Sequence, residues 1–294
     1  MSKTKFTVVL PTTGNRGSLL PYSIGSIQNQ TIQEFEIFII GDGISKETRE
    51  LIREMKEKDS RIKLFDHPKH ERRGEPYRHK ALQHANSDFV CYLCDRDMML
   101  PDHLETLAGL LKDYNFASTT YIDVKEDDRL SISQYIRYYG EASKNKEKAQ
   151  AGTISLSNVG HTLNLYHQLP HGWRTTPKDK FTDIYMWQQF NIHPQCNAYS
   201  DSRPTILYFK RGNFPGASVS ERKSDLETWS KKITTQPDID QIKKEAMAGL
   251  ILEKNRLAWF MLKMYKSPIS IKGHTLKEFI AKLYQKAANL LKRL

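Results

Sequence analysis

Short apolar runs alternate with turn residues and helical spacings over the first hundred positions. Phe6 to Leu10 is a β-branched run ended by Pro11 and predicts a buried strand. A loop of turn residues follows, Pro11-Thr12-Thr13-Gly14-Asn15-Arg16-Gly17, and then Leu20, Ile24 and Ile27 recur at helical spacing. Phe35 to Ile40 predicts a second strand, stopped by Gly41-Asp42-Gly43, with Ser45 placed to cap a charged helix reaching about Lys58. Ile62 to Phe65 and Phe89 to Cys94 predict two more strands. Asp102 and Glu105 stand at capping-box spacing before a helix that carries Leu104, Leu107 and Leu111 on one face. Strands alternating with helices predict an α/β domain with a mostly parallel sheet, whose ligands bind beyond the carboxyl ends of the strands. The loops after the first, second and fourth predicted strands all lie at that edge.

From about Asn115 the alternation weakens. Asp123 to Arg129 and Glu141 to Gln150 are polar and read as loop or exposed helix, His161 to Phe190 is dense in aromatic, His, Arg and Pro residues, and the chain beyond Ser220 reads as helical to its end. The division this suggests is a domain over 1–220, with halves at 1–115 and 116–220, and a helical C-terminal region over 221–294.

Charge changes the picture at the C-terminus. The chain of 294 residues carries a formal net charge of +11. Twelve basic side chains stand against three glutamates from Lys243 to Leu294, a net +9, so the body before them is nearly neutral. A nearly neutral body argues against a broad nucleic-acid footprint. Three cysteines exclude a disulfide framework and suit a reducing compartment. Met1 to Lys5 runs straight into the first strand with no leader pattern, and the most apolar long stretch, Ala246 to Leu262, is broken by Glu253, Lys254 and Arg256, so the expected setting is cytoplasmic.

The sharpest chemical feature is Asp95-Arg96-Asp97 at a strand end. Two acids one residue apart can present oxygens to one hard divalent cation, Mg2+ or Mn2+, that leaves room for phosphate oxygens. A D-x-D triplet alone also arises in ordinary turns.

Together with their order along the chain, three segments resemble glycosyltransferase family 2: "FTVVLPTTGNRGSLLPYSIGSIQNQT", "FEIFIIGDGIS" and "YRHKALQHANSDFVCYLCDRDMMLPDHLETL", within Phe6 to Leu111. The resemblance implies a GT-A fold, a nucleotide-sugar donor and a divalent metal. It implies that Pro11, Thr12 and Thr13 line the nucleotide pocket, that Asp42 contacts the base, that Arg78 lies near the donor, and that Asp95 and Asp97 hold ribose and the metal-diphosphate. Gly41-Asp42 stands where many members have two acids, and His79 replaces their Asn.

The family also has a later acid near the acceptor. Asp183, in "GWRTTPKDKFTDIYMWQQF", is in a similar setting, preceding Ile184, Trp187 and Phe190 as in a first helical turn. The helix dipole there favours the charged carboxylate that an acceptor base requires; a plain helix-capping role is the alternative, and Asp179 is the base if the loop folds differently. The implied reaction is a single displacement at the anomeric carbon with inversion. The donor is a UDP-sugar in the first place, and the acceptor a glycan or lipid-linked glycan of bacterial surface polysaccharide. No membrane helices and no Q-x-x-R-W signature accompany the motifs, which points to a non-processive enzyme.

Other features are weighed against plain structural roles. Cys91 and Cys94 lie in a predicted strand and read as core. His161, His167 and His171 include a candidate third metal ligand, with structural or acceptor-contact roles favoured. Trp173 and Arg174 either hold an acceptor sugar or, for the Trp, pack the core. Arg72 and Arg73 beside Gly74 are placed to reach a phosphate, with a solvated loop the favoured reading. Leu276, Phe279, Ile280, Leu283, Ala287, Leu290, Leu291 and Leu294 form an apolar stripe with basic residues off it, suited to an anionic membrane surface on the inner face or to packing on the domain. The rival functions are a sugar-phosphate nucleotidyltransferase, which lacks its glycine-rich basic loop here, and a non-catalytic GT-A-like binding protein.

Overall fold

The computed structural model describes residues 3–133, 136–140, 154–209, 217–266 and positions 270–271, 274–275, 278 and 281–282. The predicted alternation becomes β1 (Thr4–Gly14), α1 (Leu20–Gln28), β2 (Phe35–Ile44), α2 (Lys46–Lys58), β3 (Ile62–His67), α3 (Glu75–Leu82) and β4 (Ser87–Tyr92). Strands β3, β2, β1 and β4 lie side by side and all parallel. β2 is buried along nearly its whole length, which is why it reads as an almost unbroken apolar run. Ser45 caps α2, its Oγ accepting from the Thr48 N–H at 3.2 Å.

The remaining strands convert the sheet to a mixed one. After β5 (Met98–Met99) and α4 (His103–Leu110) come β6 (Phe116–Val124), β7 (Leu130–Ile132), β8 (Val159–Thr162), α5 (Leu163–His167), α6 (Thr182–Ile192) and β9 (Ala198–Tyr208). The full order is β3-β2-β1-β4-β8-β6-β9-β5, with β7 on β6. β8 is antiparallel to both its neighbours, while β6 and β9 are parallel.

Several sequence expectations are corrected here. Pro11 does not end β1, which continues to Gly14 beside β2. β4 stops pairing at Tyr92 opposite Val9, so Pro11 falls where β1 has a strand on one side only, a position that tolerates a missing N–H. β2 likewise runs through Gly41-Asp42-Gly43. Asp102 is the N-cap residue of α4 but makes no side-chain cap; its Oδ2 accepts from Lys243 Nζ at 3.0 Å instead. The weak alternation after Asn115 hides the nine-residue β6. Its Ser118, Thr119 and Thr120 are buried polar residues satisfied across the sheet: Ser118 Oγ bonds Ser200 Oγ at 2.8 Å, Thr119 Oγ1 accepts from Thr205 at 2.8 Å, and Thr120 donates to Ser202 O at 2.9 Å.

The C-terminal helices are α7 (Val219–Lys232) and α8 (Gln236–Tyr265). Leu226, Trp229, Ile239, Ile242 and Ala246 join a core cluster with Met98, Ile122, Leu130 and Leu207, so the start of this region packs on the sheet. A two-strand ladder, Ser270–Ile271 with His274–Thr275, interrupts the helical reading beyond it. The apolar stripe from Leu276 to Leu294 and the segment Glu141 to Gln150 lie outside the described residues.

Buried histidines give the fold a signed pH dependence. His103 is fully buried, bonds Thr205 Oγ1 through Nδ1 at 2.7 Å, and is pushed down to about 3 by burial. The unfolded chain therefore takes up a proton near the ordinary histidine value while the folded chain does not, and stability falls as pH drops below it. Asp97, raised to about 6 by burial, contributes with the opposite sign over its own range, so the comparison is made against His103→Gln. Between about pH 6.5 and about 4.5 the wild type should lose on the order of 2 kcal/mol relative to that variant in denaturant unfolding. Parallel curves would show that His103 is charged in the folded state.

Candidate functional site

The β1–β2 register sets Thr12 beside Gly41 and Thr13 beside Asp42, and β2–β3 sets Asp42 beside His67. Leu93, following β4, donates its N–H to Val9 O at 3.1 Å, which brings Asp95 up beside Thr12. The carboxyl ends of the parallel strands thus converge on a cavity of about 560 Å³. Its lining includes Pro11, Thr12, Thr13, Asp42, Arg78, Asp95 and Asp183, which come from widely separated parts of the chain.

Asp95 is buried at the cavity edge. It accepts from Thr12 Oγ1 at 2.9 Å and lies 3.1 Å from Arg16 Nη1. Burial raises its carboxyl, opposed by Arg16 and the Thr12 hydroxyl. Asp42 receives the His70 N–H at 2.5 Å and the Lys69 ammonium.

Asp97 lies one layer deeper and is not part of the lining. It is fully buried, accepting from Ser157 Oγ at 2.5 Å and from Phe209 N at 3.2 Å. Burial raises it to about 6 against the pull of Arg96 and these hydrogen bonds. Among the described residues no three His, Cys, Asp or Glu side chains gather as a metal cage. The donor chemistry that is present, a carboxylate at the cavity edge and a second behind it, suits a Mg2+ or Mn2+ that draws its other ligands from substrate phosphates and water.

Asp183 is in the first turn of α6, as the spacing predicts. The expected dominance of the helix dipole is not what sets its protonation. Burial raises this carboxyl, and Arg78, Arg73 and the Leu156 N–H oppose the rise. Asp179 is exposed, lies outside the lining and pairs with Lys180 at 3.5 Å.

Arg78 is the most constrained group of the site. It projects from α3, is 4% exposed, and its guanidinium stands 4.7 Å from the Trp173 ring centroid. Nη2 donates to Arg73 O at 3.0 Å, while Nε and Nη1 are buried without a hydrogen-bond partner. Asp183 and Glu75 favour its charge against a lowering by burial.

The cavity is strongly basic. Arg16, Lys69, Arg72, Arg73, Arg78 and Arg96 line it, against Asp42, Asp95 and Asp183. Arg72 and Arg73 line the cavity from a loop in which Arg73 is exposed, so the loop itself is as expected and its basic residues face the cavity. Arg72 donates to Thr176 O at 3.0 Å and Pro177 O at 3.2 Å, tying its loop to the segment before α6. Arg16, Lys69 and Arg96 were not singled out by sequence. Arg16 lies in the loop already marked as turn, and Arg96 is the middle residue of the D-x-D triplet, where only the flanking acids drew attention.

The histidines do not converge on the acids. His161 is buried with Tyr92 OH at 2.7 Å, and His167 and His171 are exposed away from the lining. Trp173 is core, its Nε1 donating to Tyr92 OH at 3.0 Å. Arg174 stacks over Tyr185 at 4.9 Å, and Cys91 and Cys94 are free thiols. Cys94 falls just beyond β4 and lines the cavity, its thiol pushed up to about 12 by burial.

Gly172 holds this wall in place. It has φ +59°, and a Cβ there would lie 2.5 Å from His79 Nδ1 and 2.7 Å from Tyr166 OH, which are themselves hydrogen-bonded at 2.8 Å. Gly172→Ala should destabilise the fold by roughly 1–3 kcal/mol in denaturant unfolding. An unchanged midpoint would mean that the loop before Trp173 relaxes freely.

Residues 7–171 match the family model described as "Glycosyl transferase family 2". The chain is 34% identical over 103 residues to the GalNAc(5)-diNAcBac-PP-undecaprenol beta-1,3-glucosyltransferase of Campylobacter jejuni, covering 35% of this chain and 33% of that protein. It is 27% identical over 211 residues to an uncharacterized glycosyltransferase of Mycoplasma pneumoniae, covering 70% of this chain and 69% of that one. The chain spans about a third or less of the length of the first curated relatives it matches. Among solved structures it is similar to S. aureus TarS 1–349 in complex with UDP-GlcNAc (TM-score 0.56, 14% identity, 84% of this chain and 71% of that one). It is also similar to the mannosyltransferase PcManGT from Pyrobaculum calidifontis in complex with GDP-Man and Mn2+ (TM-score 0.53, 17% identity, 99% and 81%). At these identities the structural likeness shows the GT-A type of fold alone.

Proposed function

The chain belongs to glycosyltransferase family 2, and from that premise we propose that it transfers a sugar, with inversion and without processivity, from a nucleotide-sugar to a glycan or lipid-linked glycan. The observation that carries the reading is the buried Arg78 guanidinium, two of whose nitrogens, Nε and Nη1, have no protein partner at a basic cavity. A diphosphate supplies the acceptor oxygens such donors require. Pro11, Thr12 and Thr13 would flank the nucleotide, Asp42 the base and Asp95 the ribose. A UDP-sugar is the first donor to test. The lipid-linked acceptor is supported by the printed name of the Campylobacter relative.

Asp183 takes the acceptor hydroxyl's proton as the oxygen attacks the anomeric carbon, and the nucleotide diphosphate leaves with the bonding pair. Arg78 and its neighbours stabilise the charge that grows on the leaving oxygens. When bound, a Mg2+ or Mn2+ held by Asp95 and Asp97 would supply Lewis-acid neutralisation of that same charge. Each Asp97 oxygen accepts one hydrogen bond, from Ser157 or Phe209, which leaves lone pairs for such an ion.

Donor hydrolysis tests the class without knowledge of the acceptor. Nucleotide release from UDP-, GDP-, dTDP- and CMP-sugars, with and without Mn2+, should occur with one donor, require the metal, and vanish in Asp97→Ala. Silence across the panel together with no metal-dependent nucleotide binding would sink the reading and promote a non-catalytic binding protein. In the complete reaction Asp183→Asn should lower kcat by roughly 10²–10⁴ with little change in donor affinity. Its activity profile has a sign as well: the raised carboxyl must be ionised, so the wild-type rate falls as pH drops through its folded value.

Arg78→Met separates binding from folding. Removing two charge-assisted hydrogen bonds should weaken nucleoside-diphosphate binding roughly 10–100-fold. The Tm of the free protein is read beside it, because the variant removes buried donors that lack partners but also takes a buried counter-charge from Asp183 and Glu75. A large fall in Tm with unchanged nucleotide affinity would assign Arg78 to structure instead.

A further inference from the structure

The body-facing line of α8 runs through Ile239, Ile242 and Ala246 and ends at Glu253, which accepts from Ser131 Oγ at 2.8 Å and lies 3.7 Å from Lys125 Nζ. Beyond it the helix continues to Tyr265. Leu257, Ala258, Trp259, Phe260, Met261 and Leu262 are consecutive, so at 3.6 residues per turn they surround the helix on every side. Leu257 is 53% exposed, Trp259 65% and Phe260 57%. A helix that is apolar all round is stable only when something covers it. Basic residues bracket the turn, with Lys254 and Arg256 before it and Lys263 and Lys266 after it.

We propose that this turn of α8 is a membrane-docking element that inserts its apolar ring among the acyl chains of an anionic bilayer, with the bracketing lysines and arginine at the headgroups. Charge selects the occupant. From Lys254 to Leu294 ten basic side chains stand against one glutamate. Covering the ring with the chain's own C-terminal segment, or with the same element of a second copy, would bring like charge onto like charge. An anionic lipid surface satisfies both the apolar ring and its basic flanks. No helix among the described residues is long and apolar enough to cross a membrane, so the docking is interfacial. The element lies outside the cavity, and its test is independent of the reaction.

The reporter is built in. Of the four tryptophans, Trp173, Trp187 and Trp229 are 2%, 7% and 3% exposed, and Trp259 alone faces solvent. The full chain should bind vesicles of phosphatidylcholine with roughly 30% phosphatidylglycerol, with a blue shift in tryptophan emission. Binding should weaken with salt and be at least about tenfold poorer on pure phosphatidylcholine. Trp259→Phe should abolish the shift but keep co-sedimentation. The double variant Leu257→Ser, Phe260→Ser should lose binding about tenfold or more with unchanged Tm. Equal binding by wild type and double variant would place the contact elsewhere and overturn the proposal. So would equal binding to both vesicle types, or a Trp259 already shielded in vesicle-free protein, whether as a monomer or as a dimer.

Discussion

A guanidinium held inside the protein with two donors unmet is the constraint around which the site is organised. Arg78 stands on α3 above the Trp173 ring, and burial works against its charge. Asp183 and Glu75 oppose that effect and favour its charge. Glu75 is itself fully buried at the start of α3, accepting from the Arg73 N–H at 3.0 Å and from Thr182 Oγ1 at 3.3 Å. One carboxylate therefore anchors the arginine loop, and the same carboxylate ties it to the first turn of α6 where Asp183 sits. The loop before α3 and the start of α6 are joined at this point by one buried carboxylate.

The parallel half of the fold was legible because its strands are buried on both faces and announce themselves as apolar runs. β6 was not legible for the opposite reason. Ser118, Thr119 and Thr120 occupy core positions, and only the partners supplied by β9 and the residues near it make that burial tolerable. A pattern of hydrophobicity carries no trace of hydrogen bonds made across eighty residues of chain. The capping-box spacing at Asp102 and Glu105 failed in the same way: a distant lysine on α8 took the capping carboxylate.

The acids of the site could be named from sequence because each stands at the end of an element and carries a family resemblance. Of the cations Arg78 could be named in the same way, but Arg16, Lys69 and Arg96 could not. Arg16, Lys69, Arg72, Arg73 and Arg96 come from three separate loops, after β1, β3 and β4, in a nearly neutral body. Only the register of β1, β2, β3 and β4 brings those loops to one edge. The location of excess charge is thus a property of topology, while its total is a property of composition. The tail holds most of the net charge and the cavity holds the part that faces it.

The same arginines stand in two relations to Asp183. In the protein alone, Arg78 and Arg73 oppose the rise that burial imposes on its carboxyl. On the proposed reading a nucleotide diphosphate enters with negative charge and takes up the donors of Arg78. The field those guanidinium groups exert on Asp183 is then partly neutralised, and its affinity for a proton rises. On that reading the donor itself strengthens the base, beside the acceptor hydroxyl. Burial supplies the upward pressure on the carboxyl, the arginines restrain it, and the substrate's own charge releases the restraint.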